Sequence, residues 1–260
     1  MIWVTPSGRP DRRTLLAVFG LLVFFALTAQ FMGINPEVAR SGLPRLFDLV
    51  RRIFSPPDLS YLPKLGVMLA QTVGMAFVAT TVAFVLSLIL APLAARNTTP
   101  QPWIGFVCKA FLALVRALPE VVWAMLFVSA VGLGVLPGVM ALIVTSVGMM
   151  AKFFAESFEV VDAKAIEGVA AHGASPGAVR AIAVFPQSVP DLVSHTLYIF
   201  DSNVRSAGIL GFVGAGGIGF DFVQAVKLFR FERILMFIVA IAVTVSILDR
   251  LSRAIRRRLV

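Results

Sequence analysis

Apolar runs of about the length that crosses a bilayer recur along this sequence. Because about 20 helical residues cross the hydrocarbon core, such runs predict transmembrane helices. Charged residues make up only 14% of the chain, whereas a soluble domain usually carries about 25%. We therefore predict an all-α integral membrane protein with six spans. The predicted spans are Thr14–Ile34, Leu65–Ala95, Trp103–Gly134 with a kink at Pro119, Val135–Met150, Pro186–Leu210 and Ile234–Leu248.

Three arginines precede the first apolar run, as they would in a secretory signal peptide. A signal peptide has an apolar region of only about 7–15 residues, so we interpret Thr14–Ile34 as a retained helix, with a cleaved signal as the alternative. Apolar residues at helical spacing predict an interfacial amphipathic helix within residues 35–64. We therefore expect an N-terminal helix with an extracytoplasmic or interfacial segment in residues 1–64, and the main transmembrane domain in residues 65–260.

The formal net charge of +9 is interpreted as a signal of membrane topology rather than of nucleic-acid binding, because basic residues hold loops on the cytoplasmic side. With both termini inside, fourteen of the 23 lysines and arginines fall in inner segments and eight in outer segments. The sequence therefore favours cytoplasmic termini. The single cysteine, Cys108, excludes an intramolecular disulfide, and we predict no metal site and no catalytic residue in this chain.

Residues Gly214–Gly219, GAGGIG, match the G-x-G-x-x-G pattern that can hold a dinucleotide. That pattern binds a pyrophosphate only between a strand and a helix of a soluble βαβ unit, and the surrounding apolar chain leaves no room for one. We therefore exclude a nucleotide site and expect these glycines to provide backbone flexibility and close helix approach. The P-loop pattern G-x-x-x-x-G-K-[ST] is absent from the sequence, so any ATP hydrolysis must come from another subunit.

The polar stretch from about residue 152 to 185 predicts a helix–turn–helix on the cytoplasmic face. Asp162 can cap a helix N-terminus, and Gly173 can adopt the left-handed conformation that ends a helix. Ser175 followed by Pro176 predicts the start of a second helix. A short helix held between two spans suits the docking of a partner, although an ordinary connecting loop would show the same caps.

Polar side chains follow a helical repeat through the fifth span and share one face of it. A charged side chain at the bilayer centre costs about 2.5–3.5 kcal/mol, so such a face predicts contact with protein or water rather than with lipid. We interpret this face as the lining of a pathway, with mutual neutralisation of its charges in a packed bundle as the alternative. The face consists of Asp191, Ser194, His195, Tyr198, Asp201, Ser202 and Arg205.

These two stretches resemble the permease subunits of ABC importers. Residues Glu167–Gly173, EGVAAHG, resemble the EAA loop of that superfamily, E-[AG]-x-x-x-x-G, with Gly168 instead of the usual alanine. Residues Leu197–Arg205, LYIFDSNVR, and the run GILGFVGAGGIG that ends at Gly219 are similar to the phosphonate importer permease family. Members of that family tend to carry L-Y-x-[FL]-E-x-N-[VI]-R and then L-G-x-V-G-A-G-G-I-G, so that Asp201 replaces a glutamate.

The resemblance implies the six-helix type I (MetI-like) ABC importer permease fold with a cytoplasmic coupling helix. It implies a pathway between two permease subunits, here as a homodimer, in the bacterial inner membrane. Two cytoplasmic ATPases that use ATP and Mg²⁺ and an extracytoplasmic phosphonate-binding protein are the implied partners. The implied site residues are Glu167, Gly168, Ala171, Gly173, Ala174 and Ser175 for coupling to the ATPase, Ser194, His195, Tyr198, Asp201, Asn203 and Arg205 for the translocation pathway, and Gly211, Gly214, Gly216, Gly217 and Gly219 for a flexible gate.

We therefore predict a permease subunit for phosphonate or a related phosphorus oxyanion such as phosphite or phosphate. Arg205 and Asn203 can donate hydrogen bonds to such an anion, although Arg205 could instead remain tied to Asp201. One alternative is an ion-coupled secondary transporter of a small anion with Asp191, His195 and Asp201 as proton relays. An ABC permease for another small solute such as methionine, and a structural membrane scaffold, are the others.

Overall fold

The computed structural model describes residues 12–33 and 36–259. The chain divides into two compact units, Met1–Ile53 and Phe54–Val260. All regular structure in the described part of the chain is helical. The predicted all-α class is therefore confirmed, and the two units are described separately.

The first unit holds two helices, α1 (Arg12–Phe31) and α2 (Pro36–Ile53). α1 is 20 residues long and apolar enough to cross a membrane, as predicted for the first span. α2 separates its apolar from its polar residues strongly, which confirms the amphipathic helix expected within residues 35–64. Arg9 of the basic start and Ile34 at the predicted end of the first span lie outside the described residues.

The second unit is a helical bundle in which α3, α6 and α9 pack together and α4, α5 and α11 lie against them. A search of the described residues finds four helices in the whole chain that could span a membrane, or up to six when each of two bent pairs counts as one span. This agrees with the six predicted spans. The helices of this unit are α3 (Leu62–Ala94), α4 (Pro102–Ala117), α5 (Glu120–Val131), α6 (Val135–Glu159), α7 (Ala163–Ala171), α8 (Pro176–Val179), α9 (Phe185–Leu210), α10 (Ile218–Lys227) and α11 (Phe231–Leu259).

The predicted third span is broken at Pro119 into α4 and α5, whose axes bend by 83°. Leu118 is extended, with φ −95° and ψ 130°, because a proline ring disfavours the helical conformation in the residue before it. Trp123 Nε1 donates a hydrogen bond to the Val115 carbonyl at 3.2 Å and ties the two helices together across the break. The predicted kink is therefore correctly located, but it separates two distinct helices.

The predicted end of the fourth span at Met150 is wrong, because α6 continues to Glu159. Lys152, which the sequence analysis assigned to a polar loop, pairs with Glu156 one turn later at 3.3 Å. Such an i,i+4 pair stabilises a helix by about 0.3–0.5 kcal/mol, and the neighbouring Phe154 is completely buried. α6 therefore carries its charged residues within one continuous helix.

A π turn at Arg180–Val184 joins α8 to α9 without a break. Phe185 N donates a hydrogen bond to the Arg180 carbonyl, five residues back instead of the usual four. Pro186 then lies in the first turn of α9, where its missing N–H costs little. The predicted boundary at Pro186 is therefore not an interruption of the helical path, whereas the end of the fifth span at Leu210 is confirmed.

Candidate functional site

The segment between α6 and α9 has the helix–turn–helix form that its capping residues predict. Asp162 accepts a hydrogen bond from Lys164 N at 3.0 Å at the start of α7. After α7 the chain turns at Gly173, whose φ of 78° is left-handed. Ser175 accepts a hydrogen bond from Ala178 N at 3.3 Å and caps α8. The local geometry predicted for this segment is confirmed.

The residues predicted to couple this segment to an ATPase lie at its surface. Ala174 is half-buried, and the others are exposed. On the opposite side, Val161 and Ile166 pack against the buried cluster that contains Phe154 of α6. One side of α7 is therefore held by the bundle while the other is accessible to a partner. The exposed residues are Glu167, Gly168, Ala171, Gly173 and Ser175.

Polar contacts hold the loop between α3 and α4 against the C-terminal end of α6 and against the π turn. The Glu159 carboxylate accepts a hydrogen bond from Arg96 N at 2.8 Å and pairs with Lys109 Nζ at 2.9 Å. Arg180 Nη1 donates to the Thr98 carbonyl at 3.1 Å. These contacts, the Glu159 clamp, have no local signal in the sequence, because their partners are 50 to 82 residues apart. These contacts therefore tie the loop between α3 and α4 to α4, to the end of α6 and to the π turn.

The predicted polar face of α9 lies beside α6 and is partly accessible. The His195 ring stacks on Phe153 of α6 with a centroid separation of 4.9 Å, and Tyr198 meets the same ring edge-on at 6.3 Å. The structure thus joins the middle of this face to α6 through aromatic contacts. The exposed members of the face are Asp191, Tyr198 and Arg205, and the half-buried ones are Ser194, His195 and Ser202.

The carboxylate of Asp201 is buried and forms an ion pair with Arg205 one turn later. The Arg205 guanidinium also lies 3.9 Å from a carboxylate oxygen of Asp249 in α11. One oxygen of Asp201 is buried and has no hydrogen-bond partner among the described residues. The pairing of Arg205 with Asp201, which the sequence left as an alternative, is therefore present, and it extends to α11.

Asn203 is buried and joins three helices by hydrogen bonds. Its amide nitrogen donates to Thr80 Oγ1 of α3 at 2.9 Å, and its carbonyl oxygen accepts from Ser146 Oγ of α6 at 3.0 Å. Because residues two positions apart on a helix lie roughly 200° apart, Asn203 and Arg205 point to different sides of α9. The structure thus uses the Asn203 amide for helix packing and does not bring it to the surface that carries Arg205.

The glycine-rich segment after α9 forms a tight turn into α10. The Gly134 N–H at the turn between α5 and α6 donates to the Gly214 carbonyl at 3.0 Å and fixes the segment against α6. Positive φ angles between 72° and 83° in this turn favour glycine, because a Cβ would be strained there. Three of the predicted gate residues adopt these angles: Gly214, Gly216 and Gly217.

The other two glycines predicted for the gate, Gly211 and Gly219, allow the backbones of α9 and α10 to touch. A Cβ on Gly219 would overlap the Gly208 carbonyl oxygen, and one on Gly211 would overlap the backbone at the start of α10. Thr72 Oγ1 of α3 accepts a hydrogen bond from Ile218 N at 2.9 Å and caps α10. The expected close approach is confirmed, while the role of Thr72 had no signal in the local sequence because its partner lies 146 residues away.

Comparison with known proteins gives a consistent result. A family model described as "Binding-protein-dependent transport system inner membrane component" matches residues 83–260. The chain is 36% identical over 241 residues to the phosphite transport system permease protein PtxC of Stutzerimonas stutzeri, covering 92% of this chain and 86% of that protein. It is 40% identical over 222 residues to the phosphate-import permease protein PhnE of Mycolicibacterium smegmatis, covering 85% of this chain and 42% of that longer protein.

Solved structures share the same arrangement of helices. A chain of the MetNI methionine ABC transporter in an inward-facing conformation superimposes with a TM-score of 0.69 and 20% sequence identity. The superposition covers 78% of this chain and 99% of that one. At this identity the likeness concerns the fold alone, and it confirms the predicted type I importer permease architecture.

Proposed function

The chain belongs to the family of binding-protein-dependent transport system inner membrane components, and we propose that it is the permease subunit of an ATP-driven importer for a phosphorus oxyanion. The observation that carries this proposal is the identity of 36% and 40% to permeases named for phosphite and phosphate. The candidate cargoes are phosphonate, phosphite and phosphate, which share the negatively charged oxygens that arginine pairs with bidentately.

We infer that α7 and the turn after it dock on a cytoplasmic ATPase. Exposure of Glu167 and Gly173 on the outer side of this segment supports the inference. The clamp at Glu159 offers a route by which movement of α7 would reach the spans. ATP and Mg²⁺ belong to the ATPase, since this sequence contains no P-loop pattern.

We further propose that the pathway lies between two copies of this chain and follows the polar face of α9. The exposed Tyr198 and Arg205 and the half-buried His195 support this assignment, because polar side chains on a membrane helix face protein or water rather than lipid. The turn at Gly211–Gly219 would then form the gate at the far end of α9. On this model Asn203 acts from behind the face and holds α9 to α3 and α6, while Asp201 lies on the face, paired with Arg205.

The remaining parts of the assembly follow from the direction of transport. An extracytoplasmic binding protein would deliver the ligand to the end of the bundle that carries the glycine turn. The end that carries α7 would then face the cytoplasm, which places the chain in a bacterial inner membrane with both termini inside. The excess of lysine and arginine on that side supports this orientation.

The test is uptake by proteoliposomes that contain the chain copurified with its ATPase, with the binding protein on the outside and labelled phosphite, phosphate or methylphosphonate as probes. ATP-dependent accumulation of at least one probe is the expected result. Accumulation driven by a proton gradient without ATP would show a secondary transporter instead. ATP-dependent uptake of methionine alone would show a permease for a different solute.

Coupling is tested with Glu167→Ala and Gly173→Asp in the same proteoliposomes. Both variants should lose most uptake, and ATP hydrolysis should no longer respond to the loaded binding protein. Lys227→Ala is the matched control, because Lys227 is an exposed cation on α10, far along the chain from this segment. Normal uptake and normal stimulation of ATP hydrolysis in both variants would refute the docking role.

A further inference from the structure

A cavity of about 290 Å³ lies between α4 and α6, lined also by the end of α3. Six charged residues line it together with a few apolar ones. Four of them are cations and two are carboxylates, which leaves an excess of positive charge. The charged residues are Arg96, Lys109, Arg116, Lys152, Glu156 and Glu159.

The two carboxylates are already paired with the two lysines. Lys109 Nζ lies 2.9 Å from Glu159, and Lys152 Nζ lies 3.3 Å from Glu156. Arg116, in contrast, forms no hydrogen bond or ion pair with any residue in the described part of the chain. Arg116 is an exposed cation on a helix of a candidate span, so its guanidinium is accessible to water or to a counter-ion.

The structure holds Arg116 at the cavity by close packing between α4 and α6. A Cβ on Gly148 would lie 3.0 Å from Arg116 Cγ and 3.1 Å from Val115 Cγ1, so glycine at this position lets the two helices approach. The Val115 carbonyl also accepts the hydrogen bond from Trp123 across the break between α4 and α5. The turn of α4 that carries Arg116 is therefore held by α6 through Gly148 and by α5 through Trp123.

The cavity and the polar face of α9 border the same part of α6. Lys152 and Glu156 line the cavity, and Phe153, next to Lys152 in the chain, carries the stacked His195 ring. The cavity and the His195 contact therefore lie within about one turn of α6 of each other. The volume equals roughly ten times the share of a water molecule in the liquid, about 30 Å³, so a small hydrated oxyanion fits.

We propose that this cavity is an anion site of the translocation pathway in which Arg116 pairs with the phosphorus oxyanion; this rests on the transport function proposed above. The guanidinium plane can donate two parallel hydrogen bonds to two oxygens of one phosphorus group. Glu156 and Glu159 keep the site from holding the anion too tightly, because they neutralise the lysines and repel a second negative charge. A site that must release its cargo needs such a balance.

Chemical protection of the arginine tests the site directly. The chain copurified with its ATPase is placed in phosphatidylcholine nanodiscs and treated with phenylglyoxal, and modification of Arg116 is measured by peptide mass spectrometry. Phosphite, phosphate or methylphosphonate should slow the modification of Arg116 several-fold. Sodium chloride at matched ionic strength should not, and Arg45 on the exposed surface of α2 serves as the internal reference.

Two results of this experiment would overturn the proposal. Equal modification of Arg116 with and without all three oxyanions would show that none of them binds there. Protection that appears only when phosphatidylglycerol is added to the nanodiscs, and not with any free oxyanion, would assign the cavity to a lipid headgroup. Both results are obtained without transport, so they do not depend on the uptake assay.

Variants then separate this site from the transport function as a whole. Arg116→Ala should lower the maximal rate of uptake about tenfold or more, and Arg116→Lys should recover part of the loss. Lys227→Ala should behave as the wild type. If the wild type takes up an oxyanion with ATP and Arg116→Ala matches it, the site is refuted while the transporter stands. If the wild type takes up none of the oxyanions, the proposed function itself fails.

Discussion

Replacing Arg205 by alanine should lower the stability of the protein as well as its transport. Asp201 is only 6% exposed, and its ion pair with Arg205 compensates for the loss of water around its charge. The alanine variant removes the cation and leaves the carboxylate within the bundle. The second oxygen of Asp201 already lacks a hydrogen-bond partner among the described residues, and Asp249, the other carboxylate beside Arg205, cannot replace the cation.

The expected loss of stability depends on how deeply the Asp201 and Arg205 side chains are buried. Breaking a fully buried ion pair costs about 3–5 kcal/mol. The Arg205 side chain is 44% exposed, so water screens the pair, and we expect a loss of about 1–2 kcal/mol. For a chain of this size that corresponds to a decrease in melting temperature of roughly 2–8 °C. The double variant Asp201→Asn/Arg205→Ala, which leaves no charge to compensate, should recover most of the decrease.

The assay is thermal unfolding of the purified complex in mild detergent, followed by size-exclusion chromatography, with uptake normalised to folded protein. A double-mutant cycle over Asp201 and Arg205 isolates their interaction from the other effects of each substitution. Wild-type thermal stability of Arg205→Ala together with reduced uptake would refute this reasoning and would assign Arg205 to ligand contact alone. A double variant less stable than the single one would refute the account of the buried charge.

Three further predictions concern packing and pH. Gly219→Ala should prevent stable assembly, because its Cβ would overlap a backbone carbonyl, whereas Gly74→Ala, with open space around it, should be tolerated; chromatography of the solubilised protein distinguishes the two. Asn203→Leu should cost about 1–3 kcal/mol, measurable by thermal unfolding, because it leaves the buried Ser146 hydroxyl without its acceptor; the Thr80 hydroxyl keeps its bond to the Ala76 carbonyl. The hydrogen bond from Ser60, with a further one from Arg233, lowers the pKa of Asp58 below its ordinary value. The ionised Asp58 carboxylate therefore stabilises the folded protein above the pKa of an unfolded aspartate, about 3.9, and this stabilisation is lost as the pH falls through the lower pKa of the folded state. In an acid titration of stability, Asp58→Asn should remove this dependence on pH.

Local signals in the sequence were sufficient for the elements whose ends are set by single residues. Asp162, Gly173 and Ser175 act on their own backbone neighbourhood, so the capping rules located the helix–turn–helix segment correctly. Pro119 likewise marked the break between α4 and α5, because a proline restricts the residue before it whatever surrounds the chain. Such effects depend on two or three consecutive residues and can be read without a fold.

Signals that depend on distant partners were not available in the sequence. The cavity beside Lys152 had no signal in the sequence, because it forms only where α4 packs against α6. Asn203 was assigned to the pathway by its position in a motif, whereas its partners Thr80 and Ser146 lie 123 and 57 residues away. Helical periodicity gives the side of a helix on which a residue lies but not the neighbour that covers that side.

The π turn at Arg180–Val184 sets the rotation of α9 about its axis relative to α7 and α8. One residue of an α-helix corresponds to a rotation of roughly 100° and an advance of about 1.5 Å, and a π turn absorbs one extra residue. Without that residue, the face of α9 that carries His195 would turn away from Phe153 while α7 kept its place on the bundle. A single inserted residue therefore determines which side of α9 faces α6 when α7 is held at its place on the bundle.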